Sequence, residues 1–531
     1  MPTLDWIGKR AVLNHHREVP YRLLQVDPAL SVGDPESGNL LVEGDNLLAL
    51  KALLPYYAGK VKCIYIDPPY NTGNENWIYN DAVNSPEIRK WLGKVVGPEA
   101  QDLSRHDKWL CMMYPRLSLL REFLTEDGAI FVSIGDDAVG FLRLLMDEVF
   151  GPTRFVATVV WQKRYSRENR GAIGDVHEYI LVYARDPERF KQARNRVPLD
   201  EKSARVYKNP NNDPKGRRRA IPMSAQGWRP NQMYEITAPS GRILKPPTGR
   251  CWSLVEPEFL KLREAGRIWF GKKGDSAPGI IRYLSEVEGL VPWTWWPHDE
   301  VGHTDEAKKE MHAFSPADQA FDTPKPERLL KRIIEVSSNE GDLVLDCFAG
   351  SGTTGAVAHK MRRRWVLCDA EEECTKLIQR RIAAVVGGSD TGGVTAAAGW
   401  DGGGGFRFCT LGESLLDESG SIGPTIRFSD LAAHVYFTET GTPIPRPAAG
   451  RTPLLGLHSG NAVYLLFNGV MGDRRPNGGN VLTSEVLRTL PKPPDQVGSR
   501  VIYGEGCRMG AARLKREGIV FKQIPYEIKV S

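Results

Sequence analysis

The chain lacks the features of several common protein classes. It has no run of about 18 or more apolar residues, so no membrane-spanning helix is expected. The N-terminal segment contains no apolar stretch of the signal-peptide type. The 8 cysteines form no Cys-x-x-Cys pair, which argues against a zinc ribbon or a disulfide framework. These absences predict a protein of the reducing cytoplasm, with no bound metal and no membrane association.

A phosphate-binding loop is also missing. The nearest match runs from Gly266 to Gly271 and Lys272, but Lys273 stands where Ser or Thr is needed to bind magnesium. The composition is otherwise ordinary for a globular protein, since 41% of the 531 residues are hydrophobic and 25% are charged. This length predicts roughly two to four domains. The net charge of +5 permits a nucleic-acid partner without requiring one.

Segments typical of strands and helices alternate along two stretches of the chain, 39–162 and 321–385. Short apolar runs rich in β-branched residues predict strands at 61–66 and 129–134. The amphipathic segment 109–124 predicts a helix between them. This alternation predicts an α/β fold with a doubly wound, mostly parallel sheet.

The other segments differ in composition from these two stretches. Residues 1–38 are expected to form a loosely structured lead-in, and residues 163–320 an insert in which the alternation fades. The Gly-rich segment 386–405 predicts a linker. Residues 406–531 are expected to form a separate, smaller C-terminal region of unassigned role.

The insert 163–320 is rich in Arg, Lys and Trp. Lys208, Lys215 and the run 217–219 form a basic cluster, and several tryptophans are interleaved with basic residues. Each tryptophan alone is more typical of core or loop packing. The combination of cations for phosphates and planar groups for bases favours an insert that reads nucleic acid.

The tetrad Asp67-Pro68-Pro69-Tyr70 directly follows the strand predicted at 61–66. The two prolines have fixed φ angles and no N–H, so their carbonyls are expected to be free, rigid acceptors. Asp67 adds an acceptor, and Tyr70 offers a ring for stacking. The alternative interpretation is an ordinary Pro-rich turn after a strand. The pattern favours a pocket that holds a planar base carrying an amino group.

A second candidate site follows the strand predicted at 342–346. Asp346 precedes the Gly-rich turn Phe348-Ala349-Gly350-Ser351-Gly352-Thr353, and the next predicted strand ends at Asp369. Such a turn between a strand and a helix is typical of a nucleoside-cofactor site, where an acid such as Asp369 accepts hydrogen bonds from ribose. The third glycine of a dinucleotide site is absent, and so is the lysine of a phosphate loop. The turn therefore favours S-adenosylmethionine, with Asp346 either holding the turn or contacting the cofactor.

The two motifs together resemble the amino-methyltransferases of DNA in their permuted, β arrangement. In that arrangement the catalytic Asp-Pro-Pro-Tyr precedes the cofactor loop Phe-x-Gly-x-Gly, as it does here. Thr323-Pro324-Lys325-Pro326 is similar to the family's short element upstream of the cofactor loop, and Gly44-Asp45 to its adenine-contacting acid. The segments 67–73 and 283–287 look like those of modification subunits of type III restriction–modification systems.

The resemblance implies a seven-stranded methyltransferase sheet, with residues 163–320 as the target-recognition domain. It implies methyl transfer to N6 of an adenine flipped out of duplex DNA. No covalent enzyme intermediate is implied, and the chain has no Pro-Cys dipeptide, the usual setting of the nucleophile in cytosine-C5 methylation. The implied partners are double-stranded DNA, a second copy of the chain, and a restriction (nuclease/helicase) subunit or another defence-system protein.

The resemblance also assigns residues to roles. The catalytic set is Asp67, Pro68, Pro69 and Tyr70. The cofactor-binding set is Asp45, Asp67, Lys325, Asp346, Phe348, Ala349, Gly350, Ser351, Gly352, Thr353 and Asp369. Lys325 is expected to bind the methionine carboxylate, with a solvent-exposed lysine in a Pro-rich turn as the alternative. Asp369 departs from the family pattern, because relatives often carry Glu there.

Other activities stay open on the sequence alone. Asp as the first residue of the tetrad favours adenine N6, whereas Ser is commoner for cytosine N4, so an N4-cytosine methyltransferase is the nearest alternative. Methylation of RNA or of a protein glutamine amide uses related tetrads. A catalytically silent DNA-binding module is the alternative of a different class, and cofactor binding would separate it from an enzyme.

Overall fold

A computed structural model describes most of the chain. The described residues are 4–70, 93, 104–166, 172–199, 201–209, 212–312, 314, 323–417, 420–423, 425–445 and 452–527. The predicted extension of the tetrad at 71–73 lies outside them. The chain divides into a larger unit, residues 1–195 and 293–531, and a smaller unit, residues 196–292. Within the described ranges, no helix is both long and apolar enough to cross a membrane.

A ten-stranded sheet organises the larger unit. In chain order its strands are β1 Arg22–Gly33, β2 Leu40–Glu43, β3 Val61–Ile66, β4 Leu124–Ile134, β5 Phe155–Gln162, β6 His177–Ala184, β7 Trp295–Trp296, β8 Leu343–Asp346, β9 Arg364–Asp369 and β10 Gly405–Ser414. Across the sheet they lie in the order β1-β10-β2-β9-β8-β3-β4-β6-β5-β7. The strands from β10 to β4 in this order all run parallel. The predicted α/β fold with a mostly parallel sheet is confirmed.

The sheet is wider than the seven strands implied by the resemblance. Part of the expected lead-in forms β1, which pairs antiparallel with β10, and the short strand β7 pairs with β5 at the opposite edge. An uncovered edge leaves a row of unpaired N–H and C=O groups, and β1 supplies partners for those of β10. The expectation of a loosely structured lead-in is therefore wrong for Arg22–Gly33.

Helices cover both faces of this sheet, with a buried apolar cluster under each layer. One face carries α1 Asn46–Tyr57, α2 Arg105–Phe123 and α3 Val139–Phe150, and the other carries α4 Glu327–Ser337, α5 Thr353–Lys360 and α6 Glu372–Val386. Further helices of this unit are Lys9–Val12, His15–Glu18, Pro187–Ala193, His298–Val301, Thr304–His312 and Thr395–Ala398. The helix predicted at 109–124 begins earlier, because Ser104 and Asp107 form a capping box before it.

The strand order reverses between β8 and β3. The two strands pair directly, with Leu345 opposite Ile64. From β8 the chain continues to β9 on one side, and from β3 it continues to β4 on the other. Ligands of open α/β sheets bind at the carboxyl ends of the strands at such a switch point. Because the tetrad follows β3 and the Gly-rich turn follows β8, the fold brings both candidate motifs to one crevice.

The smaller unit contains short strands around its own apolar cluster. Its strands are Arg218–Pro222, Ser224–Gln226, Ile236–Thr237, Ile243–Leu244, Arg250–Trp252, Ile268–Trp269 and Gly279–Tyr283, and its helices are Glu201–Ala204 and Glu256–Glu264. Trp252 is buried in the cluster, whereas Trp228 is exposed. Arg218 of the basic cluster pairs with Asp213 and lies 5.5 Å from the Trp269 ring centroid. Some of these cations and rings therefore make internal contacts.

The smaller unit, residues 196–292, covers less of the chain than the insert predicted at 163–320. Residues on both sides of it belong to the larger unit, because they form β6 and β7 of the central sheet. Two of the interleaved tryptophans, Trp293 and Trp295, are exposed there, and Trp296 is buried.

The segment 386–405 packs against the larger unit instead of linking two regions. The backbone N–H of Val394 donates to Glu327 at 2.9 Å, and a ring nitrogen of His359 lies 2.9 Å from the Gly403 carbonyl oxygen. The chain then enters the central sheet as β10. The linker predicted at 386–405 is wrong here, and so is the separate region predicted to start at residue 406. The reason is that β10 pairs with β1 on one edge and β2 on the other, inside the central sheet.

Residues after β10 add a second, smaller sheet to the larger unit. It follows α7 Phe428–Thr440 and has the strands β11 Leu454–His458, β12 Asn461–Leu465, β13 Arg500–Gly504 and β14 Ile519–Gln523. The last three run parallel, with the helices Ser484–Thr489 and Ala511–Arg516 in the connections.

Candidate active site

The tetrad begins directly after β3 and is held by its neighbours. The indole Nε1 of Trp109, on α2, donates to the Pro69 carbonyl at 2.7 Å. This carbonyl is therefore engaged, although both proline carbonyls were predicted to be free. The Tyr70 ring lies against Gly135, where an added Cβ would come within 3.2 Å of the ring. A glycine after β4 thus leaves room for the tyrosine.

Asp67 pairs with a lysine on one side of its carboxylate. Lys325 Nζ lies 2.6 Å from Asp67 Oδ2. The other oxygen, Oδ1, is buried and has no hydrogen-bond partner among the residues that the structure describes. Burial raises the pKa of Asp67 above its ordinary value, an effect that Lys325 partly offsets. The Oδ1 atom is an acceptor to which a donor such as an amine can bind.

Two buried acids hold the Gly-rich turn. Asp346 accepts hydrogen bonds from the Phe348 N–H at 2.9 Å and from the Thr354 hydroxyl at 2.6 Å. Asp369 accepts one from the Gly350 N–H at 2.8 Å. Gly352, with a φ of 72°, begins α5 in a conformation that favours glycine. Asp346 therefore makes the bonds expected if its role is to hold the turn, one of the two roles predicted for it. Asp369 also holds the turn, through a contact that the sequence did not predict.

A cavity lies between the tetrad and the Gly-rich turn. Its walls are formed by Tyr65, Asp67, Pro68, Pro69, Tyr70, Lys163, Glu178, Thr323, Lys325, Leu330, Asp346, Phe348, Ala349, Gly350, Ser351, Thr353 and Thr354. Every predicted site residue is in this set except Asp45, Gly352 and Asp369. The fold therefore joins the two motifs, which are separate in the sequence, around one space.

Asp45 has local partners outside the cavity wall. Its side chain caps α1 by accepting from the Leu47 N–H at 2.9 Å and the Leu48 N–H at 3.1 Å. It also pairs with Arg116 at 3.0 Å. A contact between Asp45 and a cofactor adenine stays a prediction.

Glu178 and Lys163 line the cavity but were missed in the sequence. Glu178 lies near the start of β6 and accepts a hydrogen bond from the Tyr70 hydroxyl at 2.9 Å. Lys163 follows β5 and lies 3.3 Å from Glu178. Because β6 runs antiparallel to β4 and β5 antiparallel to β6, the start of β6 and the end of β5 reach the edge where β3 ends. The only sign in the sequence was a charged residue next to a mostly apolar strand. Such a residue does not indicate a site until the direction of the strand in the sheet is known.

The charges around the turn favour one kind of ligand. The carboxyls of Asp346 and Asp369 are buried beside it, and their acceptor oxygens do not match the acceptor oxygens of a phosphate. Amine and hydroxyl donors find acceptors there, and the small residues Ala349 and Gly350 allow close approach. The residues present therefore fit a nucleoside such as S-adenosylmethionine, which carries ribose and no phosphate.

The buried acid Asp346 predicts a dependence of stability on pH. Burial raises the pKa of Asp346 from 3.8 to about 7. Between these values the unfolded chain releases a proton that the folded chain keeps, so the free energy of unfolding falls as pH rises. We expect Asp346→Asn to remove this loss, so that its stability relative to the wild type rises from pH 4 to 7 by at most about 1.4 kcal/mol per pH unit.

Denaturant unfolding at several pH values checks this expectation. Asp342→Asn, which removes a carboxylate beside the other end of β8, is the matched control. A difference between Asp346→Asn and the wild type that is constant from pH 4 to 7 would contradict the assigned protonation.

The strand order, the tetrad and the acid-flanked Gly-rich turn define a class of α/β protein with a nucleoside site next to an acceptor-rich pocket. The model of the DNA methylase family N6_N4_Mtase matches residues 61–380. The chain belongs to this family, which confirms the predicted resemblance.

Three relatives show how far the similarity extends. The Mod subunit of the type III restriction-modification enzyme StyLTI from Salmonella typhimurium is 33% identical over 70% of this chain and 58% of that protein. The EcoPI Mod subunit of Escherichia phage P1 is 33% identical over 67% of this chain and 61% of its own length. The type II methyltransferase M.EcaI of Enterobacter cloacae is 30% identical over 72% of this chain and 80% of its own length. The chain spans less than two thirds of the two Mod subunits.

Proposed function

We propose that this protein transfers a methyl group from S-adenosylmethionine to N6 of an adenine flipped out of duplex DNA. The observation that carries the proposal is the shared cavity, in which the Asp67 tetrad faces the acid-flanked Gly-rich turn at the switch point of the sheet. Membership of the DNA methylase family supports it.

The tetrad would make the amine reactive by position and charge. An exocyclic amine is a poor nucleophile because its lone pair is delocalised into the ring. Asp67 Oδ1 and the Pro68 carbonyl would accept its two hydrogens, which favours a tetrahedral nitrogen with a localised lone pair. Tyr70 would stack on the base and hold that lone pair in line.

When bound, S-adenosylmethionine would supply the methyl group, and the bond from the methyl carbon to sulfur would break as the bond to nitrogen forms. The nitrogen then loses a proton. Burial raises the pKa of Asp67, which makes that carboxylate a suitable acceptor for it. The chain's residues thus act by holding the amine, stabilising charge and accepting a proton, without a covalent intermediate.

The Gly-rich turn would hold the cofactor. Backbone around Gly350 can approach it closely, and Phe348 and Ser351 line the same wall. Asp369 would accept hydrogen bonds from ribose, and Asp45 would contact the adenine. Lys325 would bind the methionine carboxylate in addition to its observed partner, Asp67.

The smaller unit and the basic residues of the insert would contact duplex DNA. The similarity to Mod subunits of type III enzymes supports a role in restriction–modification or a related defence system. Within such a system the partners would be a restriction subunit and a second copy of this chain, and the enzyme would act in the cytoplasm.

Modification-sensitive sequencing of DNA from cells that express the protein tests the proposal. We expect N6-methyladenine at one sequence motif, absent from cells with an empty vector. N4-methylcytosine at a motif would support the nearest alternative, because the matched family includes both activities by name. Methylation of RNA with none in DNA would contradict the proposal.

A further inference from the structure

Glu178 is a nearly buried carboxylate in the cavity wall that the proposed chemistry leaves without a role. Its side chain is 12% exposed, and its two oxygens face different partners. Oε2 accepts from the Tyr70 hydroxyl at 2.9 Å, and Oε1 lies 3.3 Å from Lys163 Nζ. Lys325 Nζ is also 3.8 Å from Oε2. Burial of a charge is costly unless such partners compensate for it.

These contacts converge on the ring of Tyr70. Its hydroxyl donates to Glu178, its edge packs on Gly135, and Lys325 Nζ lies 5.1 Å from its centroid. A tyrosine hydroxyl away from water needs an acceptor, and because its O–H bond prefers to lie in the ring plane, an acceptor at a fixed point favours one plane of the ring. Stacking on a base depends on that plane, because offset geometry and ring separation decide its strength.

We propose that Glu178 is a positioning residue, which orients Tyr70 through its hydroxyl so that the target base stacks with its amine at Asp67. The inference rests on the proposed function and deepens it. The hydrogen-bonding oxygen of Glu178 is required, whereas its negative charge is not, since Lys163 has a second carboxylate partner, Asp175, at 2.9 Å.

This role predicts a specific pattern among variants. Glu178→Ala and Tyr70→Phe should each lower kcat about tenfold, the scale expected for the loss of one hydrogen bond. The double variant should be no worse than the more damaging of the two single variants, because both changes remove the same bond. Glu178→Gln keeps an acceptor oxygen and should recover most of the activity. Asp175→Asn, a matched loss of a carboxylate beside Lys163, should leave kcat unchanged.

Two further measurements separate positioning from a general structural effect. S-adenosylmethionine affinity should stay at the wild-type level in all variants, since none of them changes the Gly-rich turn. With 2-aminopurine at the target position, stacking on an oriented Tyr70 quenches fluorescence, and Glu178→Ala should show less quenching than the wild type or Glu178→Gln.

Normal kcat in Glu178→Ala, or independent and multiplied losses in the double variant, would overturn the inference. A parallel loss of cofactor affinity in Glu178→Ala would also overturn it. If Glu178→Ala does not fold, Tyr70→Phe decides the question, and normal kcat there is the overturning result. A wild-type protein that methylates no nucleic acid refutes the proposed function and the inference with it, whereas an active wild type with insensitive variants refutes the inference alone.

Discussion

Asp67→Ala should lower kcat for methyl transfer by at least about 10² to 10³, the loss seen when one positioned charge-stabilising group is removed. The substitution removes Oδ1, the buried acceptor that has no hydrogen-bond partner among the described residues, and with it the proton acceptor. S-adenosylmethionine should still bind, because the Gly-rich turn keeps its own supports, Asp346 and Asp369. Methylation rate and cofactor affinity, measured on the same preparation, check both statements.

A carboxylate on the neighbouring strand provides the matched control. Asp127 lies near the amino end of the β3–β4 pair and forms an ion pair with Lys62, far along the strand from the tetrad. Asp127→Ala should leave kcat unchanged. Asp67→Asn keeps the side-chain shape and an oxygen that can still accept a hydrogen bond from Lys325. A loss of activity in this variant is therefore not caused by leaving Lys325 without a partner. Near-normal activity in Asp67→Ala would disprove the catalytic assignment.

Glu327→Ala should destabilise the fold by about 3–5 kcal/mol, the cost of leaving a buried charge uncompensated. Glu327 is 1% exposed and lies 2.8 Å from Lys360 Nζ and 2.8 Å from Arg381 Nη2. Burial raises the pKa of Glu327, but these two cations outweigh that effect and leave it below its ordinary value. Denaturant unfolding at neutral pH measures the loss.

The neighbouring pair Glu306–Arg328 is the control for this prediction. Its side chains are about one third exposed, and an exposed pair contributes at most about 1 kcal/mol. Glu306→Gln should therefore have a small effect. Equal destabilisation by the two substitutions would mean that burial does not determine how much the Glu327 network contributes to the free energy of unfolding.

The structure brings predicted site residues to one cavity where chemistry and local order coincide. Asp67 and Gly350 each follow a short apolar strand, and strand ends at a switch point are where α/β proteins bind ligands. Lys325 was assigned from the family's short element, and the structure adds its ion pair with Asp67.

The parts that could not be predicted depend on which strands are neighbours. Glu178 reaches Tyr70 because β6 is antiparallel to β4, a fact with no local signal. The segment 386–405 has a linker's composition, yet Val394 donates to a buried glutamate brought near by α4. Likewise, Arg22–Gly33 is a strand because β10, which lies far away in the sequence at Gly405–Ser414, pairs with it.

The direct pairing of β3 with β8 also has a consequence for how the protein is made. These two strands are encoded far apart, since Val61 pairs with Leu343. Contacts of such long sequence separation form late, after the entropy of closing a large loop has been overcome. A growing chain will therefore have released the tetrad, and all of the smaller unit, from the ribosome before the other wall of the crevice exists. We expect catalytic competence to arise in one late step of synthesis, when β8 inserts beside β3.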